Sequence, residues 1–554
     1  MAQSRPTIEA RYDQMFPTLD SAEIARLRRF GETQSFADGE YLARTGEAAP
    51  GMFIILSGKV AITQHDGPAG RGPIVTHGPG AFSGELAQLS GRPSLVDSQA
   101  QGTVEALIIP PQKLRNLLVQ EAELGERIMR AFILRRVGLF EEHVGGPVIV
   151  GRAGQADVLR LEGFLRRNGQ PNTIWDPDTD QAARAIIEKF NIAPDQLPIV
   201  QCPNGQMLRN PSDNALARCL GLVRSIDENT VYDVAIVGAG PAGLAAAVYA
   251  ASEGLSSIVL DCRAYGGQAG ASSRIENYLG FPTGVSGWAL MARAYNQALK
   301  FGVEMAIPDE AVKLECIDAR FALHLADGER VKARSVVIAT GAQYRRLDVE
   351  NLAAFEGSSV HYWASPLEAR LCGGEEVALV GAGNSAGQAA VYLASQASKV
   401  WLLARGRSLE ATMSRYLVER IAAQPNIDVQ LQTEVSALEG ENGALQAIRC
   451  RNRMSGEEVR RPIRHMFLFI GATPNTVWLA ESGIMLDDKG FVRTDGTGDA
   501  RRPLETSIPG VFAIGDVRSG STKRVAAAVG EGAQVVATLH TFLAKAGAAP
   551  EVRL

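Results

Sequence analysis

The stretch Tyr232-Asp-Val-Ala-Ile-Val-Gly238-Ala-Gly-Pro-Ala-Gly243 decides the fold of the larger part of this chain. An apolar run that ends in a Gly-x-Gly-x-x-Gly turn and continues into the Ala-rich residues 244–252 predicts a buried parallel strand followed by a helix. The next apolar run, 257–260, ends at Asp261. Such glycines let the backbone approach a pyrophosphate at the helix N-terminus, and an acid about 20 residues further on binds the ribose. The stretch therefore predicts a βαβ unit that binds a dinucleotide.

A second stretch repeats this pattern. Val377-Ala-Leu-Val380 leads into Gly381-Ala-Gly-Asn-Ser-Ala386, and the apolar run that follows, 399–403, ends without an acid. Arg405 and Arg407 stand there instead. A carboxylate at this place favours the 2′-hydroxyl of NAD, whereas arginines favour the 2′-phosphate of NADP. The second unit is therefore predicted to bind NADPH; the alternative is that both arginines are only solvated surface groups.

Residues 229–545 resemble the low-molecular-weight thioredoxin reductases, which are flavoproteins with two dinucleotide folds. Besides the two glycine turns, the matching motifs are Gly266-Gly-Gln268, Ile275-Glu-Asn-Tyr278, Val336-Val-Ile-Ala-Thr-Gly341, Phe469-Ile-Gly-Ala-Thr-Pro-Asn475 and Gly510-Val-Phe-Ala-Ile-Gly-Asp516. The resemblance implies an α/β fold with two nested Rossmann-like domains. FAD would bind to a discontinuous domain, residues 228–344 and 468–554, and NADPH to residues 345–467 between its two parts. In this family the two domains rotate relative to each other.

The resemblance also assigns the cofactor contacts. The residues expected to bind FAD are Gly238, Gly240, Pro241, Ala242, Gly243, Asp261, Gly267, Gln268, Asn277, Thr340, Gly341, Gly515, Asp516, Arg524, Val525 and Ala526. The residues expected to bind NADPH are Gly381, Gly383, Asn384, Ser385, Ala386, Arg405 and Arg407. The family has Arg-Gln-Ala near the flavin, and this chain has valine in place of the glutamine. We therefore expect one polar contact to the flavin to be lost.

The chain departs from this family at one place. Trp363-Ala-Ser-Pro366 stands where the family has its redox-active Cys-x-x-Cys. A flavin–disulfide relay needs one thiolate to attack and a second to resolve the intermediate, and these residues supply neither. Cys372 is the nearest sulfur in the sequence, and we interpret it as a packed bystander.

We therefore expect an FAD-dependent NADPH oxidoreductase without an internal dithiol, and the sequence assigns no catalytic acid or base. Its electrons would pass to a small-molecule or protein acceptor: a quinone, a ferredoxin-like protein, dioxygen or an external disulfide. Ferredoxin reductases of the thioredoxin reductase type also lack the cysteine pair and are the nearest alternative. A signalling protein that senses redox state or a nucleotide, with little turnover, is the alternative from another class.

Residues 1–143 contain short β-like runs between glycine turns, followed by an amphipathic stretch at 111–140, which predicts a β-roll closed by one or two helices. Phe36-Ala-Asp-Gly-Glu40, the run 53–60 and Phe82-Ser-Gly-Glu-Leu86 resemble the cyclic nucleotide-binding domain. By this resemblance Gly84 would face a cyclic phosphate and Glu85 a ribose hydroxyl. Ser94 stands where that family has its phosphate-neutralising arginine. A docking or dimerisation domain with a vestigial pocket is favoured over a domain that binds a cyclic nucleotide.

Residues 144–227 predict strands at 148–150, 173–175 and 197–200, and helices at 156–167, 181–190 and 214–222. With a further strand after a Pro-Asn-Gly turn, this βαβαββα order resembles the thioredoxin-like fold, and Pro198 stands at the position of its cis-proline. The first helix lacks the N-terminal cysteine from which that fold makes its nucleophilic thiolate. Cys202 and Cys219 lie at the far end and are interpreted as structural thiols, so the segment is predicted to be redox-silent.

The composition narrows the class of protein. The formal net charge is −5, so the chain lacks the excess of positive charge that is typical of nucleic-acid-binding proteins. No apolar run reaches the roughly 18–20 residues of a spanning helix, and the polar N-terminus is unlike a signal peptide. The six cysteines have no Cys-x-x-Cys spacing, which indicates reduced thiols. We expect a cytoplasmic protein without a metal site, and the resemblance implies a homodimer.

Overall fold

A computed structural model describes most of the 554-residue chain. The described residues are 11–64, 73–141, 145–223, 226–227, 229–272, 274–317, 320–356, 358–364, 366–441, 443–494 and 502–547. They form four parts along the chain, which we call the N-terminal β-roll (11–141), the middle module (145–223), the FAD unit (229–344 and 468–547) and the NADPH unit (345–467).

The N-terminal β-roll is an antiparallel sheet closed by two helices, as predicted. Its longest strands, Met52–Thr63 and Asp97–Ile109, pair with each other along most of their length. The other strands are Glu32–Phe36, Tyr41–Ala43, Pro73–His77 and Phe82–Ser83. The helices are Tyr12–Met15, Ser21–Leu27, Arg28–Phe30 (a 3₁₀ turn), Ala87–Ser90, Pro111–Gln120 and Ala122–Glu141. The last two place Leu114, Leu117, Ile128 and Phe132 on the apolar core of the roll, where all four are buried.

The middle module has the predicted βαβαββα order. Its strands are Val148–Val150, Thr173–Trp175, Ile199–Gln201 and Met207–Arg209, and the first two are parallel while the later two are antiparallel. Its helices are Ala156–Arg167, Gln181–Lys189, Pro194–Gln196 (a 3₁₀ turn) and Asp213–Cys219. The Leu197–Pro198 peptide bond is cis.

The FAD unit is built on a five-stranded parallel sheet. In spatial order its strands are Glu304–Ala306, Ser257–Leu260, Val234–Val237, Val336–Ile338 and Val511–Ala513. The central strands are buried on both faces, which explains their continuous apolar runs. A second sheet contains Val231–Tyr232, Ala311–Ile317, Arg320–Leu325 and Arg330–Ala333. The helices are Pro241–Ser252, Gly267–Gly270, Gly287–Lys300, Val525–Gly547 and the 3₁₀ turns Val477–Leu479 and Gly515–Val517.

The NADPH unit repeats this design between the two parts of the FAD unit. Its parallel sheet has, in spatial order, the strands Val360–His361, His465–Leu468, Glu376–Val380, Lys399–Ala404 and Ile427–Leu431. A three-stranded antiparallel sheet consists of Thr433–Glu441, Ala444–Asn452 and Glu458–Arg461. The helices are Leu352–Phe355, Pro366–Leu371, Asn384–Ala394 and Arg415–Ala422. Two paired strands, Ala342–Tyr344 and Ala472–Pro474, form the crossing between the two units.

Both N-terminal parts pack on the FAD unit. Phe140 of the β-roll meets Trp288 edge to face, with ring centroids 6.4 Å apart. From the middle module, the side-chain amide of Asn168 donates to the Arg263 carbonyl oxygen at 3.0 Å. Within the part of the chain that the structure describes, no helix combines the length and the apolar character that crossing a membrane requires.

Candidate functional site

The first glycine turn joins the strand Val234–Val237 to the helix Pro241–Ser252. Gly238 has a φ of +112°, and a Cβ placed there would lie 2.2 Å from the Ala339 carbonyl oxygen. Only glycine allows the ends of two neighbouring strands to approach so closely. The turn therefore lies at the carboxyl edge of the sheet, where open α/β folds bind their ligands.

Asp261, at the end of the next strand, holds the turn from the other side. Its carboxylate accepts hydrogen bonds from the backbone N–H groups of Ala239 at 2.9 Å, Arg263 at 3.0 Å and Ala264 at 3.3 Å. Burial raises the pKa of this carboxyl, although the N–H donors oppose that shift. A carboxylate has about four acceptor positions, so Asp261 retains capacity for a ribose hydroxyl.

Gly240 and Gly267 lie close together beside this turn, since a Cβ at Gly267 would lie 3.1 Å from the Gly240 Cα. A Cβ at Gly240 would have its nearest neighbour, the Gly267 Cα, at 3.9 Å. Gly240 has φ −75° and ψ −174°, an extended conformation that any residue can adopt. The missing side chain thus leaves a cradle at the helix N-terminus, where N–H groups and the helix dipole favour an anion. These residues fit the diphosphate of a dinucleotide such as FAD.

Three further predicted residues lie at the crossing between the two units. The side-chain amide of Gln268 donates to the Ala342 carbonyl oxygen at 2.5 Å. The Thr340 hydroxyl donates to the Asn475 carbonyl oxygen at 2.9 Å, and the Asn475 N–H donates to the Gly341 carbonyl oxygen at 3.1 Å. The structure thus brings Gln268, Thr340 and Gly341 together on one side of the dinucleotide cradle.

The C-terminal part of the FAD unit approaches the first helix through a 3₁₀ turn. A Cβ at Gly515 would lie 2.9 Å from the Cβ of Ala242. The Gly515 N–H donates to the Glu531 carboxylate at 2.6 Å, and the Lys523 ammonium donates to the Asp516 carbonyl oxygen at 2.5 Å. Burial raises the pKa of the Asp516 carboxyl. Asp516 is therefore placed beside the first glycine turn, although it stands 255 positions after Asp261 in the sequence.

The remaining residues predicted to bind FAD lie at the rim of the unit. Arg524 directly precedes the helix Val525–Gly547, which begins with Val525 and Ala526. The first N–H groups of a helix have no partner within the helix and are available to a polar ligand. Asn277 is exposed in the loop between the residues 270 and 287. The structure therefore places this set at a helix N-terminus and in a surface loop.

The second glycine turn is built like the first. It joins the strand Glu376–Val380 to the helix Asn384–Ala394. A Cβ at Gly381 would lie 2.4 Å from the Phe469 carbonyl oxygen, whereas a Cβ at Gly383 would have nothing within 4 Å. The backbone is thus tight against the neighbouring strand and open at the helix N-terminus, which again fits a dinucleotide diphosphate.

The first residues of the second helix hold the turn in place. The side-chain oxygen of Asn384 accepts a hydrogen bond from the Ser414 N–H at 2.7 Å. Ser385 is exposed at the helix N-terminus, and Ala386 is buried against the sheet. Asn384 therefore has a structural partner, while Ser385 is free to face a ligand on its exposed side.

Arg405 and Arg407 directly follow the strand Lys399–Ala404, and both are exposed. Arg405 is near enough to Glu434 to help lower the pKa of that carboxyl, after the larger effect of a hydrogen bond from Arg451. Both arginines stand at the end of the strand that follows the helix Asn384–Ala394, the position at which such units contact the ribose 2′ substituent. Their charge fits a 2′-phosphate.

Trp363 lies where the resemblance puts the first cysteine of the dithiol. Its indole N–H donates to the Glu368 carboxylate at 2.7 Å, and the Arg167 guanidinium of the middle module lies over its ring at 4.3 Å. A cation–π contact of this kind contributes about 0.5–2 kcal/mol. The middle module is thus docked on the NADPH unit at this position. Ser365 lies outside the described residues.

The free cysteines are Cys262, Cys316, Cys372 and Cys450. Burial raises the pKa of Cys262 and of Cys372 to about 11, and it also raises the pKa of the other two. The Cys372 thiol is fully buried and lies 3.1 Å from the Glu368 carbonyl oxygen. Since the thiolate is the reactive form, none of these four thiols is prepared for attack at neutral pH.

Cys202 and Cys219 form a disulfide with a Cα–Cα distance of 6.4 Å. The prediction that all six cysteines are free, and that these two are structural thiols, is therefore wrong. The cysteines are 17 residues apart in the sequence, and the helix Asp213–Cys219 returns to the turn behind the strand Ile199–Gln201. The return of the chain brings the two sulfurs together. Because the two cysteines are far apart in the sequence, their spacing did not predict this disulfide.

In the N-terminal β-roll, the predicted nucleotide contacts already have partners from the protein. The Glu85 carboxylate accepts hydrogen bonds from the Arg136 guanidinium at 2.9 Å and 2.7 Å. The Glu85 N–H donates to the Gln88 side chain at 2.7 Å, and Arg135 donates to the Gly84 carbonyl oxygen at 2.8 Å. Arg136 binds one carboxylate oxygen of Glu85, Oε2, whereas the other, Oε1, is buried without a hydrogen-bond partner among the described residues. The groups that would meet a cyclic phosphate and a ribose are thus only partly engaged within the domain.

Sequence reasoning missed two carboxyl groups near the first glycine turn. Glu531 binds the Gly515 N–H and the Arg518 guanidinium, the latter at 2.5 Å. Asp309 is 2% exposed, and its burial, reinforced by Asp327, raises its pKa to about 7. Only a Gly-Glu-Gly run at 530–532, unusual within an Ala- and Val-rich helix, could have drawn attention to Glu531. Among the residues with described side chains, no cluster of three or more His, Cys, Asp or Glu residues is arranged to hold a metal ion.

Known proteins resemble this chain over its C-terminal part. Thioredoxin reductase from Bacillus subtilis is 32% identical over 319 residues, which are 57% of this chain and 96% of the relative. Thioredoxin reductase from Mycoplasmopsis pulmonis is 32% identical over 308 residues, which are 55% of this chain and 96% of the relative. NADPH-dependent thioredoxin reductase 3 from Arabidopsis thaliana is 33% identical over 56% of this chain and 58% of its own length.

Solved structures agree with these relatives. Thioredoxin reductase from Lactococcus lactis, in the FR conformation, superposes with a TM-score of 0.52 at 27% identity. It covers 57% of this chain, and 99% of that structure is matched. Thioredoxin reductase from T. acidophilum superposes with a TM-score of 0.52 at 29% identity, with 56% of this chain and 98% of that structure matched.

Two family models match separate parts of the chain. Residues 33–121 match the cyclic nucleotide-binding domain, which confirms the resemblance of the N-terminal β-roll. Residues 232–532 match the pyridine nucleotide-disulphide oxidoreductase family, whose thioredoxin reductases use FAD and NADPH. The predicted fold, the two cofactors and the enzyme class, an NAD(P)H-dependent flavoprotein oxidoreductase, are thereby confirmed. The match covers more than half of this chain, and the chain therefore belongs to the pyridine nucleotide-disulphide oxidoreductase family.

Proposed function

We propose that this protein passes electrons from NADPH through FAD to an acceptor outside its own chain, without a dithiol of its own in the relay. The proposal rests on the residue found at the position of the family's Cys-x-x-Cys. Trp363 stands there with its indole N–H bound to Glu368 and its ring covered by Arg167. Because the tryptophan side chain has no thiol, Trp363 cannot take the part of a cysteine in a flavin–disulfide relay.

The remaining cysteines support this proposal. The pKa of each free thiol is raised, so none is poised as a thiolate. The Cys202–Cys219 disulfide belongs to the middle module, whose contact with the NADPH unit is made by Arg167 rather than by a cysteine. We therefore place this disulfide outside the path from NADPH to the acceptor.

The residues of the chain would bind and orient the cofactors. When bound, FAD accepts a hydride from NADPH and passes the electrons on in one- or two-electron steps. The turn at Gly240 would hold its diphosphate, and Asp261 and Asp516 would hold its sugar groups. Gly383 would leave room for the diphosphate of NADPH, and Arg405 would bind its 2′-phosphate.

An anaerobic NADPH titration of the purified holoprotein tests the proposal. We expect the flavin absorbance to bleach with about one NADPH per FAD, because no second centre accepts electrons. Consumption of about two NADPH per FAD would contradict the proposal. In that case a Cys202→Ser/Cys219→Ser variant identifies the centre, since its titration returns to one only if this disulfide takes the second pair of electrons.

The acceptor is expected to be a small molecule or a protein, with a ferredoxin-like protein, a quinone, dioxygen and an external disulfide as the candidates. Steady-state NADPH oxidation with each of these separates them. Rapid turnover with one acceptor supports an oxidoreductase of defined partner, and rapid turnover with a ferredoxin-like protein supports the ferredoxin reductase alternative.

A signalling role with little turnover is the second candidate. The packing of both N-terminal parts on the FAD unit favours it, through Phe140 on Trp288 and Asn168 on Arg263. Slow turnover with every acceptor, together with full NADPH reduction of the flavin, would support this candidate. The domain boundaries, the homodimer, the cytoplasmic location and the binding of a cyclic nucleotide stay predictions.

A further inference from the structure

A small cavity of about 20 Å³ lies between the N-terminal β-roll and the middle module. From the β-roll, Arg92, Pro93 and Ser94 line it, and from the middle module Asn204 and Cys219 do. A volume of this size holds about one water molecule. The two parts are therefore closed against each other at this place.

The loop at 92–95 is the part of the β-roll that the middle module covers. It follows Gly84 and Glu85, and its Ser94 stands at the anion-neutralising position of cyclic nucleotide-binding domains. A Cβ at Gly221 would lie 2.6 Å from the Pro93 Cγ, so the module leaves no space above this proline. The edge of the domain that would receive an anion is thus buried under the middle module.

A second strip of the β-roll completes the covered surface. The N–H of Gly46 donates to the Ser94 carbonyl oxygen at 2.9 Å, and the N–H of Ser94 donates to the Glu47 carbonyl oxygen at 2.9 Å. A Cβ at Gly46 would lie 3.5 Å from the backbone of Asn204. The residues 46–47 and 92–95 therefore form one surface, which we call the covered edge.

The disulfide joins the two segments of the middle module that contact the covered edge. Asn204 lies two residues after Cys202, and Gly221 lies two residues after Cys219. The Cys202–Cys219 bond therefore ties together the two chain segments that close the cavity. Breaking this bond would let each segment move without the other.

The geometry makes Cys219 the accessible sulfur of the pair. Cys202 is 2% exposed, whereas Cys219 is partly exposed and lines the cavity. Arg92 lines the same cavity, and its positive charge favours a thiolate near it. An incoming thiolate can therefore reach Cys219, with the buried Cys202 as the leaving group.

We propose that the Cys202–Cys219 disulfide is a reducible clasp that holds the middle module over the covered edge. A thiolate of an external dithiol attacks the Cys219 sulfur, the Cys202–Cys219 bond breaks, and Cys202 leaves as a thiolate that takes up a proton. The second thiol of the reductant then attacks the mixed disulfide and releases the Cys219 thiol. The dithiol loses two electrons and becomes a disulfide, and the protein gains two thiols.

Hydrogen exchange of the holoprotein with and without dithiothreitol tests this clasp. Dithiothreitol is removed at low pH, which stops thiol–disulfide exchange because the thiolate is the attacking form, and the thiols are then alkylated in the unfolded protein and counted. We expect the count to rise from four to six, with at least tenfold faster exchange at the amides of Gly46 and Ser94. The amides of the strand Val234–Val237 serve as the internal control and should not change.

Two variants complete the test. Cys202→Ser/Cys219→Ser should exchange fast at the covered edge with or without dithiothreitol. Cys316→Ser, which removes an exposed free thiol, should respond to dithiothreitol as the natural protein does. The proposal fails if native protein keeps four thiols under dithiothreitol. It also fails if the count reaches six while exchange at the covered edge stays unchanged. This outcome is measured on the natural protein, so it does not depend on whether a variant folds.

Discussion

Gly240→Val should abolish FAD binding without damaging the fold. The Gly240 Cβ position has its nearest neighbour at 3.9 Å, within the range of about 3.5–4.0 Å of ordinary carbon contacts. The extended backbone at Gly240 also accepts a side chain. We therefore expect the free energy of unfolding of the apoprotein to change by less than about 1 kcal/mol. The valine methyls would occupy the space assigned to the pyrophosphate.

Gly243→Ala is the matched contrast, because it should damage the fold itself. A Cβ at Gly243 would lie 1.8 Å from the Gly238 carbonyl oxygen and 3.0 Å from its carbon, and both belong to backbone that is packed on a neighbouring strand. The helix must move by more than 1 Å, on the order of the overlap itself, to relieve this contact. Overpacking of this kind costs about 1–3 kcal/mol or more, so the apoprotein should lose stability.

The assay is thermal unfolding of each apoprotein with and without added FAD, together with the flavin content after purification. A free ligand at 100 times its Kd stabilises a protein by about 2.7 kcal/mol. The natural protein should gain about this amount, Gly240→Ala should gain less, and Gly240→Val should gain nothing. A Gly240→Val protein that keeps one FAD per chain would refute the assignment of this turn to the pyrophosphate.

The other predictions concern the second cofactor and two carboxyl groups, the buried Asp309 and the half-buried Glu531. Arg405→Glu/Arg407→Glu should raise the KM for NADPH at least about tenfold and leave that for NADH nearly unchanged, because each arginine fits a 2′-phosphate; Arg415→Glu, at another exposed arginine, is the control. Asp309→Asn should stabilise the protein at neutral pH. The folded-state pKa of about 7 lies above the unfolded value of about 3.9, so the natural protein loses up to about 4 kcal/mol as the pH rises between these values. Urea unfolding at pH 4.5 and 8, taken as round values in and above this window, should show that loss only in the natural protein. Glu531→Ala should cost about 1–3 kcal/mol of unfolding free energy, because the Gly515 N–H and Arg518 lose their acceptor; an unchanged urea midpoint would contradict this role.

Local sequence predicted the elements of this protein well because each is encoded by neighbouring residues. The apolar run before Gly238 becomes a strand buried on both faces, and the Ala-rich run behind it becomes the helix Pro241–Ser252. The predicted boundaries shift by two or three residues at most in these units, since the turn and the first helical turn share the same glycines. The middle module likewise has its predicted order of elements, for the same local reasons.

The candidate cofactor residues were predicted by motif, but their mutual positions depend on contacts between distant segments. Asp516 and Glu531 reach the first glycine turn because the strand Val511–Ala513 joins the same sheet after the NADPH unit has intervened. No local pattern encodes such a pairing. That Trp363 stands where the family has its cysteine pair could be read from the sequence, whereas the contact of Arg167 with the Trp363 ring could not.

What the sequence by itself determined is therefore the set of elements, the two dinucleotide turns and the family, because short-range spacing and backbone sterics encode them. Only the tertiary structure decided how the parts close on one another. It joined Cys202 to Cys219, turned Arg136 into the partner of Glu85, and set the middle module on the β-roll. These contacts follow from packing between segments far apart in the chain, and the spacing of neighbouring residues does not predict such packing.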